Sequence, residues 1–76
     1  MNKLILPKQI VHVNSTAIQN AIYEYSSYRL KLQFNNGQSY NYHKVPNHVF
    51  EGLRTSESKG KFINKYVLPV YKFSYA

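Results

Sequence analysis

The segment SESKGKFINK, Ser56 to Lys65, has the composition of a phosphate-binding site. It carries Lys59, Lys61 and Lys65, with Gly60 between the first two lysines. A serine at a helix start leaves the first backbone N–H groups pointing outward, and a glycine lets an oxyanion approach the backbone closely. The segment is not a P-loop, because the glycine spacing and the hydroxyl after the lysine are missing. Taken alone it favours a simpler interpretation, a capped helix with solvated lysines, over the phosphate clamp.

The charge balance of the chain favours an anionic ligand. Ten Lys and Arg residues against three acids leave a net charge of +7 on 76 residues. Such an excess on a small surface attracts polyanions at long range, and nucleic acid is the obvious candidate. Eight tyrosines and four phenylalanines suit a surface where stacking and basic contacts alternate. Both properties also have plainer explanations, because charge keeps a small protein soluble and tyrosines fill a core.

The length allows a single domain, residues 1–76. A chain of this size buries only about 60% of the surface that its unfolded form exposes, so we expect no deep pocket. Cysteine is absent, which is typical of a reducing compartment. The apolar run Leu4 to Leu6 stops at Pro7, short of the length of a signal peptide or a membrane span. We therefore predict a cytoplasmic protein that has no membrane partner.

The elements that must position these residues are strands followed by helices. In YRLKLQF, apolar and polar residues alternate strictly, which predicts a strand with one side buried. The segments STAIQNAIYEY before it and QSYNYHKV after it also have strand character. The buried side of the central strand would hold Leu30, Leu32 and Phe34, and its exposed side Arg29, Lys31 and Gln33.

The second half of the chain has helical spacing. In NHVFEGLRTS the apolar residues recur three and four apart, and in KFINKYVL they form one stripe that ends at Pro69. The closing VYKFSY alternates, so a last strand is plausible, and KQIVHVN near the N-terminus is a strand or an arm. We therefore predict an α+β fold: a small antiparallel sheet of three to four strands and two short helices packed on one of its faces, with or without a final C-terminal strand.

The turn Asn36–Gly37 decides which way Tyr40 and Tyr42 point, because side chains alternate along a strand. In a two-residue turn, Tyr40 would face Gln33 and Tyr42 would face Lys31. The two tyrosines would then lie among basic residues and form a platform on which bases stack.

The alternative is a three-residue loop with Gly37 in the left-handed conformation, in which the same tyrosines face Leu32 and Leu30 and cap the core. The two-residue turn would bury Asn41 without partners, at a cost of about 1–3 kcal/mol. We favour the three-residue loop. The exposed face of this hairpin then carries Arg29, Lys31, Gln33, Asn41 and His43.

The order of these features resembles the KTSC domain, which is named for its occurrence at the C-terminus of some lysyl-tRNA synthetases and also stands alone in bacteria and phages. The resemblance covers residues 15–66, with residues 1–14 as an arm or an extra strand. It implies no known catalytic residue, and RNA binding is a suggestion drawn from the association with a synthetase. The residues that carry it are Ser15, Ile18, Tyr23, Leu30-x-Leu32-x-Phe34, Asn36-Gly37, Tyr40-x-Tyr42, Val45-Pro46, Phe50, Leu53 and Ser58-x-Gly60-x-Phe62-x-Asn64.

Enzyme chemistry finds little support in the composition. The three histidines are too few and too scattered for a persuasive metal site, and no clustered carboxylates assist them. A metal-free ribonuclease built on His43, Lys44 and a tyrosine is conceivable, since general acid–base catalysis needs only positioned groups, but nothing singles it out. We predict no catalytic residue, no metal and no cofactor.

Two functions from different classes follow. The first is a non-catalytic module that binds RNA or single-stranded nucleic acid through phosphates. The second is a protein-interaction module, such as a phage or accessory protein that docks on an acidic host protein, with the tyrosine-rich VYKFSYA as anchor. The predicted nucleic-acid contacts are Arg29, Lys31, His43, Lys44, Arg54, Lys59, Gly60, Lys61 and Lys65, with Tyr40 and Tyr42 as stacking candidates.

Overall fold

A computed structural model describes residues 8–76. Five strands form one antiparallel sheet in the order β1-β2-β3-β4-β5, and two helices lie between β4 and β5 in the chain. The α+β prediction is therefore confirmed, and both uncertain terminal segments contribute a strand. Residues 1–7 of the predicted arm lie outside the described range. The elements are β1 Lys8–His12, β2 Ile18–Glu24, β3 Arg29–Phe34, β4 Ser39–Tyr42, α1 Asn47–Thr55, α2 Lys59–Tyr66 and β5 Phe73–Tyr75.

The alternation in β3 sets the two faces of the sheet. Leu30 and Leu32 are fully buried, and the helices cover them with Phe50, Leu53 and Ile63. Each apolar face of a strand or helix must be buried against another element, and here the sheet and the helix pair bury each other. Neither helix of the described part is long and apolar enough to cross a membrane.

The β3–β4 turn has the three-residue form. Leu32 lies opposite Tyr40 and Leu30 opposite Tyr42, so the favoured register is confirmed. The N–H of Phe34 donates to the carbonyl of Gln38 at 2.8 Å, and Gly37 has a φ of 91°. Only glycine adopts that conformation without steric cost, so this residue fixes the loop length.

The platform of Tyr40 and Tyr42 among basic side chains belongs to the rejected register, and the observed register does not form it. Tyr42 is only 5% exposed, and its ring lies 5.5 Å from that of Phe73. Tyr40 is half-buried, with ring contacts to Phe34, Phe73 and Tyr75 at 5.3 Å. Both tyrosines lie on the face opposite the basic side chains, because the extra loop residue reverses their direction.

The other face of the sheet is polar and has no helix on it among the described residues. A row of side chains crosses it: a ring nitrogen of His12 lies 2.8 Å from Asn20 Oδ1, and the amide of Asn20 donates to Gln33 at 3.1 Å. Exposed Ile10 and half-buried Ile22 are neighbours in β1 and β2 on this face. We call this surface the open face.

Candidate nucleic-acid interface

A groove of about 470 Å³ separates the beginning of α2 from the β1–β2 turn. Hydroxyls, two side-chain amides and lysines predominate on its walls, a donor set suited to anionic oxygen atoms. Glu57 is the one carboxylate there. Its polar and glycine lining residues are Asn14, Ser15, Thr16, Ser58, Lys59, Gly60, Lys61 and Asn64. We call it the α2 groove.

The turn wall of the α2 groove is held by local and remote hydrogen bonds. The N–H of Ile18 donates to Ser15 Oγ at 2.9 Å, and this hydroxyl lies 3.2 Å from the carbonyl of Ile18. From the β3–β4 turn, the side-chain amide of Asn35 donates to the carbonyls of Ser15 and Thr16 at 3.0 Å. Its backbone N–H donates to the carbonyl of Ala17 at 2.8 Å. The two turns are therefore fastened to each other.

The helix wall begins at Ser58, which occupies the cap position of α2 but makes no side-chain capping bond. The hydroxyl of Ser56 instead accepts from the N–H of Ser58 at 3.2 Å. The first backbone N–H groups of a helix have no partner within the helix, so without a cap they are left for water or an anion. The simpler interpretation, a side-chain-capped helix, is not the observed geometry.

Gly60 of α2 lies directly against the β1–β2 turn. A methyl group on its Cα would be 2.8 Å from Ser15 Cβ, nearer than carbon atoms normally approach. This contact gives Gly60 a packing function, because any larger residue would push the helix away from the turn. The sequence suggested only that Gly60 admits an anion.

The three lysines of α2 differ in exposure and in hydrogen bonding. Lys59 is half-buried and donates to the carbonyl of Ser56 at 3.0 Å. Lys61 and Lys65 are exposed and four residues apart, so they lie on one side of α2. The Nζ of Lys65 is 5.3 Å from the ring centre of Tyr66, which is 48% exposed. Helix α2 thus offers cations and one accessible aromatic ring.

Arg29, Lys31 and His43 lie on the open face, away from α2. The Nη2 of Arg29 donates to Glu24 Oε1 at 2.6 Å. The hydroxyl of Ser27 also donates to this carboxylate, and this bond, followed by the charge of Arg29, lowers the pKa of Glu24. Lys31 lies opposite Asn41 in the sheet, and Nε2 of His43 lies 2.8 Å from Ser74 Oγ.

Arg54 and Lys44 occupy two further places. Arg54 donates twice to Glu51 Oε1, at 3.0 and 2.7 Å, and this contact raises the pKa of its guanidinium. Lys44 follows β4 in a left-handed conformation, with a φ of 58°, and borders a shallow depression with Tyr28 and Pro46. Neither side chain lines the α2 groove.

The predicted nucleic-acid contacts therefore do not form one surface, because some lie on the helices and others on the opposite face of the sheet. The structure brings Lys59, Gly60 and Lys61 together and continues them along α2 with Lys65, but it places the strand cations on the other side of the sheet. The groove also contains Ser15, Thr16 and Asn64, which were not among the predicted contacts. Of these, Ser15 and Asn64 belong to the residues that carry the family resemblance. In residues 8–76 no group of three His, Asp or Glu side chains is placed to hold a metal.

Comparison with known proteins agrees with the fold. A protein of Tsukamurella paurometabola is 40% identical over 60 residues, which cover 79% of this chain and 90% of that protein. The lysine–tRNA ligase of Nostoc punctiforme is 36% identical over 58 residues, or 76% of this chain and 10% of the ligase. The chain thus spans about a tenth of the ligase that it matches.

The same fold is found in a solved structure. The crystal structure of a KTSC domain protein from Yersinia pestis superposes with a TM-score of 0.81 at 23% identity, covering 91% of this chain and 97% of that one. The family model described as the KTSC domain matches residues 14–71. On this match and these relatives, the chain belongs to the KTSC domain family.

Proposed function

We propose that this KTSC domain is a non-catalytic module that binds RNA, or another single-stranded nucleic acid, through phosphate contacts at the α2 groove. One observation carries the proposal. Lys59 and Lys61 line a groove together with the uncapped start of α2 and the hydroxyls of Ser15 and Thr16. Lysines, hydroxyls and helix N-termini are the groups from which phosphate contacts are made.

The exposed side of α2 lets a strand continue beyond the groove. Lys65 lies one turn after Lys61, and the accessible ring of Tyr66 is next to it. A base that stacks on an aromatic ring contributes about 1–3 kcal/mol without sequence preference. In this proposal Tyr66 takes the stacking role for which Tyr40 and Tyr42 were the candidates in the sequence.

The lysine–tRNA ligase relatives favour RNA over DNA. By name these enzymes act on tRNA, and about a tenth of the Nostoc punctiforme ligase resembles this chain. A basic module of this kind would raise the affinity of an enzyme for its RNA without reading sequence. The lack of cysteine in the chain fits such a role in the cytoplasm.

The proposal requires a salt-dependent affinity of defined size. Each lysine–phosphate contact on a single strand releases counterions and contributes about −0.7 to the slope of log affinity against log salt concentration. Three such contacts should therefore give a slope of about −2. Fluorescence anisotropy with a labelled oligouridine, from about 50 to about 200 mM salt, measures this slope. The double variant Lys59→Ala/Lys61→Ala should retain a slope of about −0.7, because one contact remains.

The matched control removes the same charge from the open face. Lys8 lies opposite Glu24 in the β1–β2 pair and borders a depression together with Lys31. In Lys8→Ala/Lys31→Ala the net charge also falls by two, but the α2 groove is intact. Its slope should stay near that of the parent protein. A flat salt response of the parent, or equal loss in both double variants, contradicts the proposed interface.

A further inference from the structure

Within residues 8–76, strand β5 forms one edge of the sheet, and half of its backbone groups point away from the sheet. The N–H of His43 donates to the carbonyl of Lys72, and the N–H of Ala76 donates to that of Ser39. In an antiparallel pair the hydrogen-bonded positions alternate, so the N–H and C=O groups of Phe73 and Tyr75 are directed outward. An edge of this kind is a template for one more strand.

The side chains of the same two residues are exposed. Phe73 is 53% exposed and Tyr75 is 76% exposed. Both rings contact Tyr40 at 5.3 Å, and Tyr40 contacts Phe34 at the same distance. The result is a continuous aromatic surface beside the open edge. Aromatic residues are common anchors of protein interfaces, and four backbone groups set the direction of a partner strand.

The charged side chains that the contacts of β5 bring to its start are basic. Lys72 directly precedes the strand, and its bond to His43 places Lys44, the next residue, at the same corner. No acid occurs between Glu24 and Glu51 or after Glu57. A second copy of the chain carries the same net charge of +7 and would be repelled, whereas a segment with acidic side chains would be attracted.

We propose that β5 binds an extended acidic protein segment as a sixth strand of the sheet. In an added strand, alternate side chains lie on opposite faces. Apolar residues of the partner would contact Phe73 and Tyr75, and the acidic residues between them would face the side of Lys72. This surface is separate from the α2 groove, so the inference stands whether or not the domain binds RNA.

The test uses the full chain, labelled with ¹⁵N, and a synthetic peptide in which glutamate alternates with valine and phenylalanine. We expect the peptide to slow amide hydrogen exchange at Phe73 and Tyr75, which face outward in the free protein. The control peptide, with lysine in place of each glutamate, should bind at least about tenfold more weakly.

Two variants of Tyr75 distinguish the contribution of its backbone N–H to peptide binding from the contribution of its ring. Tyr75→Pro removes an outward N–H and leaves the bonds to β4, because proline is tolerated on an edge strand where the N–H faces solvent. It should bind the glutamate peptide about fivefold more weakly than Tyr75→Ala, which keeps the N–H. Retained amide protection at Asn41 confirms that the sheet of each variant is folded.

Four results would overturn the proposal: no exchange protection by the glutamate peptide, equal affinity of the two variants, dimerisation of the free chain through β5, or loss of oligouridine binding in Tyr75→Ala. The last result would make the aromatic surface part of the RNA site. Protection at Phe73 and Tyr75 together with a weaker Tyr75→Pro variant would support strand addition.

Discussion

The hydroxyl of Tyr23, in β2, donates a 2.6 Å hydrogen bond to the backbone carbonyl of Val45, just before α1. Both residues are completely buried, and the ring of Tyr23 stacks on Phe50 of α1 at 4.6 Å. A long-range bond thus fixes the point at which the chain leaves the sheet and begins the helix pair.

Tyr23→Phe should lower the free energy of unfolding by about 1–3 kcal/mol, because it removes the donor from a buried carbonyl. Urea denaturation measures the loss. The control is Tyr25→Phe, whose hydroxyl donates to Gln9 at 2.7 Å in a half-buried position and should cost less. Equal stabilities of the two variants would contradict the assigned role of the Tyr23 hydroxyl.

Alkaline pH should weaken the fold through the same residue. Burial, more than the neighbouring tyrosines, raises the pKa of Tyr23 to about 12, whereas an unfolded tyrosine titrates near 10. The unfolded chain therefore loses this proton first as pH rises. The stabilising contribution is complete below pH of about 10 and falls as pH rises towards about 12. The stability gap between the parent and Tyr23→Phe should narrow over that interval, and a constant gap would refute it.

Gly60→Ala should separate α2 from the β1–β2 turn. The added methyl group would lie 2.8 Å from Ser15 Cβ, and we expect a net loss of about 1–3 kcal/mol in unfolding free energy despite the better helix propensity of alanine. Ser15→Gly removes the opposing atom. In a double-mutant cycle the pair should therefore be more stable than the sum of the two single changes. Simple additivity would show that the two residues do not compete for space.

Gly37→Ala tests the turn that sets the register. Nothing lies within 4 Å of the added methyl group, so its cost comes from the positive φ alone, about 1–2 kcal/mol. Gly37→Asn should cost less, because asparagine tolerates this conformation better. Thermal denaturation of the two variants checks the ranking. Equal losses would point to a different turn conformation in solution.

The sheet could be predicted because its signals are local. The alternation in YRLKLQF gave both faces of β3, and the cost of burying Asn41 selected the three-residue loop that the structure contains. The helices followed from spacing, although α2 begins at Lys59, before the stripe in KFINKYVL. Interactions between residues that are close in the chain decide these features, so the sequence alone was enough to predict them.

The distribution of cations could not be predicted in the same way. Whether Lys31 and Lys61 share a surface depends on which face of the sheet the helices cover, and Gly60 meets Ser15 only after the layers have packed. One local signal was overlooked: Glu51 and Arg54 are three residues apart on α1, a spacing that forms ion pairs on helices. That spacing already indicated that Arg54 is paired with Glu51 and is not free to bind a phosphate.

Asn35 has a consequence for the dynamics of the α2 groove. Because this residue bonds to Ser15, Thr16 and Ala17, the tips of the two hairpins should detach in one cooperative opening rather than independently. A substitution that loosens the β3–β4 hairpin would then shorten the time for which the turn wall of the α2 groove stays in place. Affinity for a ligand would fall through lost preorganisation, with every lysine still in place.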